Sequence, residues 1–208
     1  MALIRWSGED SEYQHESQQI EELATVLEAW SEELEYDIHM MSNFQVGSEE
    51  IDIAIVLKYK VLVLDLKTGG GIIKGGENGD WTCTPSDGKP FTLNQGRKNP
   101  YLQAHRKKWA LITYLERYKN NIIKKDKQET TTFHKTSSFI VFSEEVEEFD
   151  HRIDDKIFTW FAVTSINAIT EKLNNFLNPA IITHEGIERT LNLDTTEAAM
   201  IPTELGLY

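Results

Sequence analysis

The sequence predicts an α/β domain with a mixed central sheet flanked by helices. Apolar residues recur at helical spacing within residues 12–35 and from Pro100 to about Tyr118. Two apolar runs rich in Val and Ile flank the dipeptide Lys58-Tyr59, which is typical of two paired strands. Helices alternating with strands favour layers of helix on a sheet. Further strands are predicted at residues 37–44, 72–74, 81–84, 138–143 and 159–164, with a helix from Ser165 to about Phe176.

Composition bounds the class of protein. The 208 residues are 40% hydrophobic and 26% charged, as expected of one globular domain. No apolar run approaches the roughly 20 residues that span a bilayer, and the N-terminus lacks the apolar core of a signal peptide. The single cysteine, Cys83, excludes intrachain disulfides and cysteine-cluster zinc sites. We therefore expect a cytoplasmic protein that does not enter membranes.

The C-terminal region is the least patterned part of the chain. Residues 1–180 are predicted to form the main domain, and residues 181–208 a short helix capped by Thr183 followed by a tail. That tail has no evident core of its own, which makes it a candidate spacer toward a further domain. The acidic run Glu144–Asp155 is predicted to be a solvated loop.

Each of the two apolar runs contains one aspartate, and these two carboxylates are candidate functional groups of the predicted hairpin. If Lys58-Tyr59 forms a two-residue turn, Asp52 lies directly opposite Asp65, where Cβ atoms are roughly 4.5–5.5 Å apart. Lys67 projects from the same face, because side chains alternate along a strand. Two carboxylates this close repel each other unless a cation lies between them, and hard divalent cations prefer oxygen ligands. The hairpin therefore predicts a metal site.

A second interpretation of the two aspartates stays open at this point. An aspartate near a strand end is often a turn former or the partner of a nearby lysine. The turn lacks the Asn-Gly or Asp-Gly pair that fixes a two-residue loop. A three-residue loop would shift the register and place the two carboxylates on opposite faces of the sheet.

Charge is distributed unevenly along the chain. Residues 58–135 hold 16 of the 21 basic and 7 of the 34 acidic residues, a local net charge of +9. The rest of the chain carries −22, which gives the overall −13. A basic segment beginning beside the aspartate pair suits a phosphate-rich ligand, although a solvated helix and a charged loop would give the same pattern.

Both long helices place polar residues near this hairpin. Asn99 is a good N-cap for the second helix and Pro100 a good first residue. Gln103 and Lys107 follow one turn apart, on a stripe beside the predicted buried one. Glu16 lies one turn before Ile20 on the inward face of the first helix. The buried stripe of the second helix is predicted to contain Leu102, Trp109, Ile112 and Leu115.

Taken in chain order, these residues resemble the nuclease-related domain (NERD), a branch of the PD-(D/E)xK nuclease-like superfamily. The resemblance is most specific from about Gly47 to Leu115 and implies a restriction-endonuclease-like fold. The family more often has glutamate where this chain has Asp65, and aspartate shortens the reach of the ligand by one methylene. The residues that carry the resemblance are Glu16, Glu50-Ile-Asp52, Val63-Leu-Asp65-Leu-Lys67, Gly69-Gly70, Trp81 and Asn99-Pro100-Tyr-Leu-Gln103.

The resemblance implies a chemical role for each site residue. Asp52 and Asp65 would bind Mg²⁺ or Mn²⁺, with Glu16 completing or orienting the ligand shell. Lys67 would hold or help deprotonate the attacking water, and Gln103 would position the water or the phosphate.

The resemblance also implies a substrate and partners. DNA is expected ahead of RNA, with Lys107 and Arg106 contacting its backbone, although Lys107 would equally suit a solvated position. Such domains often stand beside a helicase or another module, in DNA processing or antiviral defence. The alternative is a catalytically silent, nuclease-like module that binds other proteins.

Overall fold

The computed structural model describes residues 1–8, 14–86, 88–96, 98–179, 181–184 and 186–208. The predicted start of the first helix, at residue 12, lies outside them. The helices are α1 (Gln14–Ser31), α2 (Pro100–Arg117), α3 (Lys119–Ile122), α4 (Ile169–Asn174) and α5 (Thr195–Glu204). The strands are β1 (Leu3–Ser7), β2 (Ile38–Val46), β3 (Glu49–Leu57), β4 (Lys60–Lys67), β5 (Gly71–Gly76), β6 (Thr82–Thr84), β7 (Phe91–Thr92), β8 (Ser137–Phe142), β9 (Val146–Arg152), β10 (Phe161–Ser165), β11 (Ile182–His184) and β12 (Ile187–Arg189).

The main sheet is six-stranded and mixed, in the order β1-β2-β3-β4-β8-β10. β2, β3 and β4 form an antiparallel meander, whereas β8 lies parallel to both β4 and β10. β1, which the sequence analysis did not assign, adds a parallel edge strand beside β2. The predicted α/β class with a mixed central sheet is confirmed, and it is consistent with a nuclease-like fold. None of the described helices is long and apolar enough to cross a bilayer.

Helices cover both faces of this sheet. On one face, Leu62 and Leu64 of β4 pack with Leu23 of α1 in a core that also includes α4. On the other face, Val61 and Val63 join a core with Leu111 and Leu115 of α2. Asp65 and Lys67 continue this second set, since alternate residues share a face. The candidate site therefore lies under α2.

A smaller sheet, in the order β7-β6-β5-β9, packs near the start of α2. Its core holds the fully buried Trp81, whose indole N–H donates to the Gly76 carbonyl (2.8 Å). Gly75 is required beside this ring, because a Cβ at that position would lie 2.2 Å from the indole. Tyr101 of α2 belongs to the same core and joins the two sheets.

Three sequence predictions outside the site are wrong. The acidic run after Ser143 contains β9, which pairs in parallel with β5 while most of its side chains stay exposed. Thr183 lies in β11 rather than at the start of a helix. The tail forms α5, whose Ile201 is fully buried in the core beneath α2. Whether residues 181–208 lead to a further domain stays a prediction.

The buried stripe of α2 is shifted from the predicted one. Ile112 and Leu115 are buried as expected, but Leu102 and Trp109 are exposed. The buried face instead includes Ala104, Leu111 and, unexpectedly, two lysines, Lys107 and Lys108. The sequence pattern missed this face because lysines were excluded from the apolar stripe.

Candidate functional site

The β3–β4 hairpin has the predicted register. Its pairs run from Leu57 opposite Lys60 to Ile53 opposite Leu64, around a two-residue turn at Lys58-Tyr59. The alternative of a three-residue loop, which would have placed the aspartates on opposite faces, is therefore wrong. Asp52 and Asp65 are the next residues after the last of these pairs. The backbone N–H of Leu66 donates to Asp52 Oδ2 (2.8 Å) and fixes that carboxylate beside β4.

A lysine from α2 lies between the two carboxylates. Lys107 Nζ is 2.6 Å from Asp52 Oδ1 and 2.5 Å from Asp65 Oδ1. Lys67 Nζ lies 2.5 Å from Asp65 Oδ2, on the other side of that carboxylate. The four side chains form a chain of alternating charge, Asp52–Lys107–Asp65–Lys67, with two positive and two negative groups.

The expectation that Lys107 is solvated is wrong, because the whole residue is only 8% exposed to solvent. A buried ammonium is stable only when paired and hydrogen-bonded, and the aspartate pair meets both conditions. A direct contact of Lys107 with a nucleic-acid backbone stays a prediction. The ammonium already donates two of its three N–H groups to the carboxylates.

The two carboxylates differ in proton affinity. Burial and the nearby charge of Asp65 raise the pKa of Asp52, and Lys107 offsets this only in part. Burial would also raise the pKa of Asp65, but Lys67 and Lys107 outweigh it and lower that pKa to about 2. The difference follows from the number of partners, because Asp65 contacts two ammonium groups and Asp52 contacts one. Asp65 is therefore ionised throughout the neutral range.

The donor set fits a divalent cation that keeps several waters. Mg²⁺ is commonly held by one or two carboxylates together with water. Asp65 Oδ2 is buried and lies 2.5 Å from the Lys67 ammonium, so both oxygens of this carboxylate face a cation. Asp52 and Asp65 could therefore bind Mg²⁺ or Mn²⁺ where the Lys107 amine now lies. The same position cannot hold both cations at once.

Glu16 does not form a three-carboxylate cluster with this pair among the described residues. It is half-buried near the start of α1, the helix whose apolar side packs on the opposite face of the sheet from α2. Gln19, three residues later, donates to Thr68 Oγ1 (3.4 Å), which places this end of α1 near the carboxyl end of β4. Among the described residues, no three carboxylate, imidazole or thiol groups converge as a metal site. The predicted role of Glu16 as a third ligand stays a prediction.

Gln103 is held one turn before Lys107 on α2. Its Oε1 accepts a hydrogen bond from Asn94 Nδ2 (2.6 Å), and the same amide group donates to the Lys98 carbonyl (3.0 Å). Asn94 adopts a φ of 53°, a left-handed conformation that asparagine tolerates better than most residues. The sequence analysis missed Asn94, because its relation to Gln103 depends on this loop conformation.

Arg106 lies beside Lys107 but on the outer side of α2. Its side chain is exposed, and Nε lies 3.8 Å from Glu49 Oε1 at the start of β3. That position suits the predicted contact with a nucleic-acid backbone, which stays a prediction.

Comparison with protein families identifies the chain. The model of the nuclease-related domain, NERD, matches residues 11–143, more than half of the 208 residues. This chain belongs to the NERD family. The matched region includes every predicted site residue of the NERD domain, from Glu16 to Lys107. Comparisons with curated proteins and with solved structures each return no significant match.

Proposed function

We propose that this NERD domain is a metal-dependent nuclease that hydrolyses phosphodiester bonds in DNA. The observation that supports this most is the convergence of Asp52, Asp65 and Lys67 on one face of the β3–β4 hairpin. Carboxylates can hold a metal ion that activates water, and a nearby amine can stabilise charge that develops on the phosphate. The proposal therefore assigns catalysis to the carboxyl end of β4 and the facing part of α2.

Asp52 and Asp65 hold the metal in this proposal, with Glu16 supporting the ligand shell from α1. When bound, Mg²⁺ or Mn²⁺ lowers the pKa of a water and neutralises charge on the phosphate. The lowered pKa of Asp65 keeps that ligand ionised. Asp65 also orients Lys67 through their ion pair.

The amines and the amide act on the substrate. Lys67 holds the attacking water and stabilises charge that develops on the phosphate. Gln103, restrained by Asn94, positions the water or a phosphate oxygen. Lys107 balances the aspartate pair and, released from it, provides a positive charge next to the phosphate.

DNA is the proposed substrate ahead of RNA, and the isolated domain is expected to bind it weakly. The +9 charge of residues 58–135 attracts phosphate, but the −22 of the remaining chain opposes it. A helicase or another partner module, in DNA processing or antiviral defence, would supply the missing affinity. Binding should weaken steeply as salt is raised.

A second candidate function is a catalytically silent module that binds other proteins. The favouring observation is that Lys107 and Lys67 already balance the two carboxylates. A site compensated in this way is stable without a metal ion. Divalent-metal binding distinguishes the two candidates.

Cleavage of single- and double-stranded DNA with Mg²⁺ or Mn²⁺ tests the nuclease function. We expect cutting by the unmodified chain and none by Asp65→Ala or Lys67→Ala, with folding checked by circular dichroism. Asp150→Ala is the matched control, since Asp150 is an exposed aspartate paired with Lys74 (3.2 Å) outside the site. Cutting that survives in Asp65→Ala would refute the assignment.

Thermal unfolding with added Mn²⁺ gives a readout that is independent of cutting. A metal-binding site should gain about 2.7 kcal/mol at a hundredfold excess over its dissociation constant. If Mn²⁺ produced no DNA cutting and no gain in stability, the silent module would be favoured. A gain without cutting would indicate that the tested substrate or partner was wrong.

A further inference from the structure

A groove adjoins the candidate site on the outer side of α2. It has a volume of about 410 Å³ and lies between the β2–β3 turn and α2. Pockets for small molecules typically measure roughly 300–1,000 Å³ and are mostly apolar. The groove therefore has room for a nucleobase. Its lining includes Val46, Glu49, Trp109, Thr113, Tyr114 and Arg117.

Trp109 forms one wall of the groove and is more exposed to solvent than is usual for a tryptophan. The residue is 41% exposed, although its ring is held in place. The indole N–H donates to His105 Nε2 (3.0 Å), and the ring lies 6.1 Å from His134, centroid to centroid. A fixed and exposed aromatic ring is suited to stacking, because little conformational freedom is lost on binding.

The charges around the groove favour a phosphate-containing ligand. Arg117 lines the groove, and Arg106 lies 3.8 Å from the groove residue Glu49. Both guanidinium groups are on exposed residues, whereas Glu49 is the only acid among the described residues of the lining. A base against Trp109 would thus have cations nearby for its flanking phosphates.

The groove lies next to the proposed chemistry. Glu49 precedes Asp52 by three residues on β3, which corresponds to about 10 Å of strand. Arg106 immediately precedes Lys107, the lysine that joins both aspartates. A strand of nucleic acid bound in the groove would therefore pass the carboxylates within one or two nucleotides.

We propose that this groove binds an unpaired base of single-stranded DNA, stacked on Trp109, with Arg106 and Arg117 contacting the adjacent phosphates. The proposal rests on the nuclease function and specifies its substrate as single-stranded. Bases of a duplex are stacked on their neighbours and paired, so their faces are not free for the indole. Single-strand binders commonly combine such an aromatic ring with a basic track.

Fluorescence anisotropy with a labelled oligothymidylate tests the proposal in EDTA, where metal-dependent cutting cannot occur. The comparison ligand is an abasic oligonucleotide with the same number of phosphates. We expect Trp109→Ala to weaken oligothymidylate binding about 5- to 150-fold, the usual range for one stacked base. Binding of the abasic ligand should be unchanged, and Trp109→Phe should retain most of the affinity.

Leu102→Ala is the control, because Leu102 is an exposed apolar residue on the same helix but outside the groove lining. Equal losses for both ligands in Trp109→Ala would overturn the stacking site, as would no loss for either. Equal or tighter binding of duplex DNA would also overturn it, as would occupation of the groove by a protein partner instead. DNA cutting that is intact in Trp109→Ala, with no binding change, would reject the groove and leave the nuclease function standing.

Discussion

At the residue scale, Lys107 controls the electrostatics of the candidate site. Its ammonium hydrogen-bonds to both Asp52 and Asp65, and burial alone would lower its pKa. The two carboxylates reverse that effect and raise the pKa above the usual lysine value. In the proposed function a divalent cation would bind the same two carboxylates. The ammonium and the metal would then compete for them.

We expect Lys107→Met to lower the free energy of unfolding by about 3–5 kcal/mol, because it leaves two buried carboxylates with one lysine. Added Mn²⁺ should restore much of this loss and stabilise the variant more than the unmodified chain. Urea unfolding with and without Mn²⁺ measures both effects. An equal response to Mn²⁺ in the two proteins would show that lysine and metal do not share the position.

Lys108→Met is the matched control for that experiment. Lys108 is also buried on α2, but its ammonium lies over the Trp160 ring (3.5 Å) and not against a carboxylate among the described residues. Burial and the nearby Lys60 lower the pKa of Lys108 to about 8. Its replacement should cost little stability and leave the response to Mn²⁺ the same as that of the unmodified chain.

Much of the site could be predicted from these residues because its geometry is local. The strand alternation and a two-residue turn suffice to bring Asp52 opposite Asp65 and to place Lys67 on their face. The partner of the pair, Lys107, is 42 residues from Asp65 in sequence. Its orientation depends on how α2 docks, and a lysine in a helix usually indicates a solvated face.

At the scale of elements, α2 is fixed at its N-terminus. Asn99 Oδ1 accepts the Leu102 N–H (2.9 Å), and its Nδ2 donates to the carbonyls of Gly76 (3.1 Å) and Gly79 (2.7 Å). The Asn99 side chain therefore satisfies one of the free N–H groups at the start of α2. It also ties the helix to the smaller sheet. Because α2 carries both Gln103 and Lys107, this tie also sets their position over the hairpin.

We expect Asn99→Ala to lower the free energy of unfolding by about 1–2 kcal/mol, the usual cost of a lost N-cap. Asn99→Asp preserves the capping oxygen but removes the two donors to the smaller sheet. It should therefore retain more stability than alanine does, as measured by urea unfolding. Equal losses in the two variants would mean that the ties to Gly76 and Gly79, not the cap, provide the stabilisation.

The elements themselves were predictable to different degrees. The N-cap of α2 follows directly from Asn99-Pro100, and the apolar hairpin from its β-branched residues. β9 was missed because its side chains are acidic and mostly exposed, and its pairing with β5 is parallel and distant in sequence. Such a strand is stabilised by backbone hydrogen bonds, which the hydrophobicity pattern of the sequence does not reveal.

At the scale of the whole molecule, the C-terminal segment is part of the core. Leu191, Leu193 and Ile201 are buried together with residues of α2 and β4. Glu197 is also buried, where it accepts the Lys124 N–H (3.0 Å) and pairs with Lys127. The sequence did not predict this docking, because α5 is short and its apolar residues complete a core formed by distant strands.

We expect Ile201→Ala to lower the free energy of unfolding by about 2–5 kcal/mol, as for other large-to-small changes in a core. Ile187→Ala in β12 is the matched control, because Ile187 is exposed and should change stability by less than about 0.5 kcal/mol. Thermal unfolding of the two variants provides the comparison. Similar small effects would mean that the segment behaves as a spacer despite its packing.

The alternating charges of the hairpin also bear on how a polyanion would approach the molecule. The net charge of the four side chains is zero, so beyond a few ångströms their electric fields largely cancel. These side chains are Asp52, Lys107, Asp65 and Lys67. An approaching nucleic acid would not be repelled by the buried acids. Close to the site, the exposed cations Arg106 and Arg117 would then attract the phosphate, and the acids would act only once it is in place.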